Sequence, residues 1–115
     1  MEVRARLKNL RMSASKGRLV ADLVRRKPCD RALTILGAST KRASRPIEKL
    51  IRSAIANAQE QNDRHKAGID LDNLYVKTIM VDEGTRMWRI RPRAQGRANW
   101  IKKPLSHVTV VLDER

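Results

Sequence analysis

Phenylalanine is absent from these 115 residues, and aromatics reach only 3%, as Tyr75, Trp88 and Trp100. Any core must therefore be aliphatic, built from Leu, Ile, Val, Ala and Met. A single cysteine, Cys29, excludes an internal disulfide and with it a stapled secreted scaffold. No apolar run approaches the roughly 18 residues of a membrane span. The start, MEVRARLKNL, lacks a signal-peptide core. The expectation is a cytoplasmic protein with no membrane partner. Acid is also scarce, with 12 Asp and Glu against 26 Lys and Arg, a net charge of +14.

The excess charge is not spread evenly. Residues 1–45 carry 13 Lys/Arg and 3 Asp/Glu, residues 46–83 carry 5 and 7, and residues 84–115 carry 8 and 2. Two basic ends thus flank a near-neutral middle. A merely solvated surface usually mixes both signs. Clustered cations with a pI near 11.2 point instead to a polyanion, whose counterions are released on binding. Hydrophobic residues at 41% are enough for a folded core, and the length fits one domain, 1–115.

Period-two alternation opens the chain, with Val3, Ala5 and Leu7 on one side and Glu2, Arg4, Arg6 and Lys8 on the other. It predicts a half-buried strand. Ser13 or Ser15 can cap a first helix with Leu19, Val20, Leu23 and Val24 as its apolar stripe. Arg25, Arg26 and Lys27 follow near its negative end. Pro28 ends that helix and fits the first turn of a second, with Ala32, Ile35 and Leu36 inward and Gly37 as its stop. Ile47, Leu50, Ile51, Ala54, Ile55 and Ala58 define a third helix of roughly three turns. Residues 60–70, polar and ending in Ala67-Gly68, read as a loop. Strand pattern returns in LYVKTIMVDEG to Gly84 and in Ser106–Leu112. Paired about residue 94, these strands would set Val76 against Leu112, Thr78 against Val110, Met80 against Val108 and Trp88 against Trp100.

Between them lies GTRMWRIRPRAQGRANWIKKP, residues 84–104. It holds Arg86, Arg89, Arg91, Arg93, Arg97, Lys102 and Lys103 and no acid. A coreless segment this long is functional or disordered. Pro92 and Gly96 supply turn residues at its middle. As a hairpin it would project on the order of 30 Å beyond the body, 1–83 and 105–115. Such a ribbon is marginal in water and self-repelling at this charge, so a partner is expected to hold it. Guanidinium forks suit phosphate oxygens and stack on bases. Trp88 and Trp100 either stack on unpaired bases or pack on each other across the strands. A second basic surface comprises Arg4, Arg6, Lys8, Arg11, Lys16 and Arg18, the last two near the amides that open the first helix.

Catalytic or metal-binding patterns are missing. Asp82 and Glu83 could begin a Mg²⁺ site, but hard-cation sites need further oxygen ligands, and local charge balance explains the pair. Cys29, His65 and His107 lack zinc spacing, and His107 reads as packed or touching RNA. There is no phosphate-cradling glycine loop and no nucleophile elbow. No enzyme, cofactor or metal is expected.

SASKGRLVADLVRR at 13–26, SAIANAQE at 53–60, VDEG at 81–84, PRAQGRA at 92–98 and SHVTVVL at 106–112 closely resemble the bacterial large-subunit ribosomal protein twenty-two family. The resemblance runs in order along nearly the whole chain. It implies an α+β fold, with three helices on a small antiparallel sheet and a long protruding β-hairpin. It implies a structural constituent that binds large-subunit (23S) ribosomal RNA, aids subunit assembly and neighbours other large-subunit proteins. The RNA-binding set is then Arg4, Arg6, Lys8, Arg11, Lys16, Arg18, Arg86, Arg89, Arg91, Arg93, Arg97, Lys102, Lys103 and His107. The resemblance further implies that the hairpin lines the tunnel for the nascent polypeptide, with Met87, Trp88, Arg89, Arg91, Pro92, Arg93 and Ala94 at or near its wall. Arg26 stands where this family commonly has Gly, Trp88 where it has Lys and Asn99 where it has Asp. The competing expectation is an architectural DNA-binding protein with a β-ribbon arm.

Overall fold

Alternation in the first residues builds an edge strand, β1 (Val3–Leu10), whose Val3 and Ala5 are buried while Arg4 and Arg6 face solvent. The computed structural model describes residues 2–66, 68–92 and 94–114; Ala67 and Arg93 lie outside the described residues. Helices α1 (Ala14–Val24), α2 (Cys29–Ala38) and α3 (Ser44–His65) follow. A 3-10 turn at Leu71–Asn73 then leads into β2 (Leu74–Pro92) and β3 (Ala98–Glu114). The strands form one antiparallel sheet in the order β1-β3-β2, with β1 and β2 at its edges. The fold is α+β.

Register at the base of the β2–β3 pair matches expectation, Val76 facing Leu112. It then departs from it. Lys77 is an extra residue, so Thr78 faces Val111, Ile79 faces Val110 and Val81 faces Val108. Strict alternation from Leu74 would have buried Thr78 and Met80. The bulge instead turns Ile79 and Val81 inward and leaves Met80 46% exposed. Two β-branched apolar side chains replace a hydroxyl and a flexible thioether in the core, which is the physical reason for the shift. The displaced Lys77 ammonium bonds Glu2, just before β1, and lies 3.6 Å from Asp113 of the central strand β3, tying both to the bulge.

A second extra residue lies between Glu83 and Arg86. Gly84 fits there because a Cβ would sit 3.0 Å from His107 Nε2 and 3.2 Å from the Leu105 carbonyl. The expected Trp88–Trp100 pair is therefore lost; Trp88 faces Lys102 and Ile90 faces Trp100.

Helix α1 buries Ala14, Gly17, Val20, Ala21 and Val24, whereas Leu19 and Leu23 of the predicted stripe face outward. Small residues win because the helix lies close on β2: a Cβ on Gly17 would meet Val81 Cγ1 at 3.0 Å. Ser13 holds the N-cap position, but its hydroxyl lies 3.4 Å from that of Ser15 and makes no cap bond. Arg26 adopts φ 63°, the glycine-type conformation, despite its side chain. Its amide and the Lys27 carbonyl bond Val76, covering part of the β2 edge.

Helix α2 starts after Pro28 and buries Ala32 and Leu36 as expected, while Ile35 is half-buried. It passes Gly37 to end at Ala38. Helix α3 buries Ile47, Leu50, Ile51, Ala54 and Ala58 but runs to His65, correcting the loop reading of residues 60–65. Glu60, Asp63, Arg64 and His65 face solvent while Gln61 and Asn62 are half-buried, and Arg64 bonds Glu60 one turn back at 3.0 Å. Asn62 closes the end, exchanging two 2.8 Å hydrogen bonds with the Ile69 backbone.

Beyond the sheet the β2–β3 pair continues to a tip at Ala94–Gly96, where Gln95 and Gly96 take φ values of 64° and 70°. The molecule measures 64 × 28 × 16 Å, and its radius of gyration of 17.4 Å exceeds the about 13 Å of a compact chain this long. The arm accounts for the difference.

Candidate nucleic-acid interface

Strand alternation sorts the arm into two faces. From Arg86–Pro104 to Pro92–Ala98 the register is unbroken, so directly opposed residues share a side. One face carries Met87, Arg89 and Arg91 with Lys103, Ile101 and Asn99. The other carries Arg86, Trp88, Ile90 and Pro92 with Pro104, Lys102, Trp100 and Ala98. The seven residues expected near a tunnel wall are thus divided. Met87, Arg89 and Arg91 share one face, Trp88 and Pro92 the other, and Ala94 sits at the tip. Arg93 falls outside the described residues.

Within the arm, Arg86 has an acidic neighbour, Glu83 Oε2 at 3.5 Å. Arg89 donates to the Trp88 carbonyl at 3.0 Å and reaches Met87 Sδ at 3.7 Å. Among the described residues, Arg91, Arg97, Lys102 and Lys103 form no ion pair, and all four are exposed. Guanidinium and ammonium groups held apart from carboxylates keep their donors for an external anion.

The strand and helix cations lie on the body. Arg4, Arg6 and Lys8 are exposed along β1, with Arg4 3.9 Å from Glu2, and Lys16 projects from the first turn of α1. A groove of about 580 Å³ runs where the two regions meet. Arg11, Lys16 and Arg42 line it from the body, and Arg89, Lys102 and Lys103 from the arm. Arg11 and Lys16 of the N-terminal basic patch are thus brought together with arm cations far along the sequence, while Arg4, Arg6 and Lys8 lie outside this groove. Arg42 was missed by sequence reading; the Lys41-Arg42 pair just before α3 was the available signal. A neighbouring groove of about 460 Å³ between β1 and α3 adds Arg6, Arg45 and Lys49. Acids collect at the opposite end of the sheet, with Asp70 and Asp72 leading into β2 and Asp113 and Glu114 closing β3.

Arg18 is placed differently from its expected companions. Its Nε donates to the Val81 carbonyl at 3.1 Å, and Arg25 donates similarly to Ile79 at 3.0 Å. Both guanidiniums cover unpaired carbonyls on the β2 edge. Arg18→Ala is therefore expected to lose about 1 kcal/mol of stability, a fall of roughly 4 °C or more in Tm. Arg11→Ala, with no such bond, should stay within about 0.5 kcal/mol. Calorimetry of the two variants side by side checks the distinction.

His107 also has a packing duty. Its Nδ1 accepts the Asn9 backbone N–H at 3.1 Å, where β1 bulges and Asn9 takes φ 60°. Asp82 lies opposite His107, and Glu83 pairs with Arg86. Among the described residues no three His, Cys, Asp or Glu side chains cluster as a metal site. Cys29 is buried beneath the surface, and burial pushes its thiol up to about 11, leaving it protonated and unreactive at neutral pH.

The sequence model of the family described as Ribosomal protein L22p/L17e matches residues 5–113. A protein of Myxococcus xanthus (strain DK1622), named large ribosomal subunit protein uL22, is 52% identical over 114 residues, covering 99% of this chain and 97% of its own. One of the same name from Bdellovibrio bacteriovorus (strain HD100) is 49% identical over 115 residues, covering 100% of both chains.

Proposed function

Since the chain belongs to the ribosomal protein L22p/L17e family of the large subunit, whose members are structural constituents and not enzymes, we propose that it binds large-subunit ribosomal RNA through the groove joining arm to body. The observation that carries this reading is the convergence of Arg11, Lys16 and Arg42 with Arg89, Lys102 and Lys103 around one cavity. Phosphates from RNA strands passing at that corner would neutralise a cationic surface that the chain itself leaves unbalanced. The division of labour is a body of 1–83 and 105–115 that anchors and an arm of 84–104 that penetrates. Held straight by RNA, the arm lines the tunnel for the nascent polypeptide, and its ordering on RNA aids subunit assembly. Neighbouring large-subunit proteins complete its surroundings on cytoplasmic ribosomes.

Salt titration tests the phosphate contacts. With about six phosphates engaged, affinity for large-subunit RNA should fall by about 10³ between roughly 50 and 200 mM salt. A flat response would refute the groove as a phosphate site. Preference for duplex DNA over structured RNA in direct competition would favour the architectural-arm reading instead.

A further inference from the structure

We infer that the arm face bearing Trp88, Ile90 and Trp100 is a stacking surface for unpaired RNA bases, distinct from the phosphate-binding face behind it. This rests on the RNA-binding reading above and specifies what that reading leaves open: which side of the arm takes which part of a nucleotide.

Three large apolar side chains stand together in water on this face, Trp88 at 55% exposed, Ile90 at 58% and Trp100 at 67%. They belong to one side because Trp88–Lys102 and Ile90–Trp100 are successive same-face pairs of an unbulged ribbon. The tryptophans are diagonal neighbours, not an opposed pair, so each leaves much of its surface open to a ligand. A contiguous apolar patch of this kind on an otherwise cationic arm marks an interaction site.

Charge on the same face selects the occupant. Lys102, with no ion-pair partner among the described residues, lies opposite Trp88, and Arg86, which reaches Glu83 at 3.5 Å, lies one pair further down the same face. An apolar peptide laid on the rings would strip water from those cations without offering a counter-charge. A second copy of the arm would bring its own cations against them. Single-stranded RNA answers both halves of the surface, with planar bases for the indoles and phosphates for the cations. The opposite face, Arg89, Arg91 and Lys103, has two arginines and a lysine but no aromatic ring. It suits backbone contact alone.

Trp88 and Trp100 are the chain's only tryptophans, so intrinsic indole emission reports this face and nothing else. The full-length protein is titrated with two end-labelled RNAs of equal length. One is a stem with an unpaired adenine loop, the other a blunt, fully paired duplex. Anisotropy of the label reads binding; indole emission reads stacking. Saturation with loop RNA should quench emission by about half or more, while saturation with duplex leaves it nearly unchanged. Replacing both tryptophans with leucine keeps the face apolar but removes the rings. That variant should bind loop RNA about tenfold more weakly and duplex RNA as before. Arg91→Ala, on the other face, should weaken both RNAs alike.

Loop-RNA binding seen by anisotropy with unchanged indole emission would overturn the stacking face while leaving the RNA-binding reading intact. So would quenching by an apolar peptide but not by loop RNA. Absence of any anisotropy change with either RNA would remove the RNA-binding reading and this inference together.

Discussion

Replacing Arg89, Arg91 and Lys103 together with alanine is expected to weaken binding to large-subunit RNA by about 100-fold near 0.1 M salt, with a salt slope shallower by about 2 to 3. The three side chains share one face of the arm, and none of them has an ion-pair partner within the described residues. Removing them costs the protein little in the free state, because all three are exposed and none packs on the core. The RNA, in contrast, loses three charge-assisted contacts in a row. Filter binding across a salt series measures the first effect, and calorimetry of the same variant checks that unfolding stays cooperative at nearly the parental Tm. Unchanged affinity would move the phosphate contacts off the arm. A fall in Tm of more than about 5 °C would show that arm and body are not independent.

Ile79→Ala is expected to cost roughly 2–5 kcal/mol of stability, whereas Met80→Ala, one residue further along the same strand, should stay within about 0.5 kcal/mol. Unbroken alternation from Val76 would bury Thr78 and Met80; the extra residue at Lys77 instead turns Ile79 and Val81 inward, leaving Ile79 1% exposed and Met80 46%. Truncating Ile79 forfeits its burial and leaves a cavity beside Val110, while Met80 loses contacts only at the surface. The larger loss is a sizeable part of the whole stability of a small domain, about 5–15 kcal/mol. Lys77→Ala separates backbone from side chain. It retains the extra residue and loses only the surface bonds to Glu2 and Asp113, so a sharp transition should persist. Those bonds hold the Glu2 carboxyl below its ordinary range and the Lys77 ammonium above its own. The carboxylate's contribution is present above the unfolded-state pKa and fades as pH falls through the lowered folded value. Lys77→Ala should accordingly differ most from the parent near neutral pH and least in acid. Equal melting temperatures for the Ile79→Ala and Met80→Ala variants would refute the bulged register.

Local periodicity carried much of the architecture. The stripe from Ile47 to Ala58 specified α3, since side chains at three- and four-residue spacing reach one face wherever the helix is placed. Alternation in Val3–Leu7 specified β1 for the matching reason, and the absence of acid from residues 84–104 marked the arm, because charge needs no tertiary context to be counted. The resemblance supplied the family on the strength of residues such as PRAQGRA, and composition alone would not have reached it.

What alternation could not reveal was an insertion in its own count. Lys77 and the Gly84–Thr85 step each add a residue to β2, and whether a strand absorbs such an extra depends on the core it faces. That choice fixed the inward turn of Ile79 and Val81, the separation of the two tryptophans and the two faces of the arm. Close packing likewise decided that Gly17 and Ala21, not Leu19 and Leu23, lie beneath α1. Distance in space, not in sequence, brought Arg42 beside Lys103 and gave Arg18 a carbonyl to hold. Sequence determined which segments would be helix, strand or charged arm, since those properties live within a few neighbouring residues. Tertiary structure decided register, facing and the joining of the basic patches, since these follow from which surfaces exclude water together.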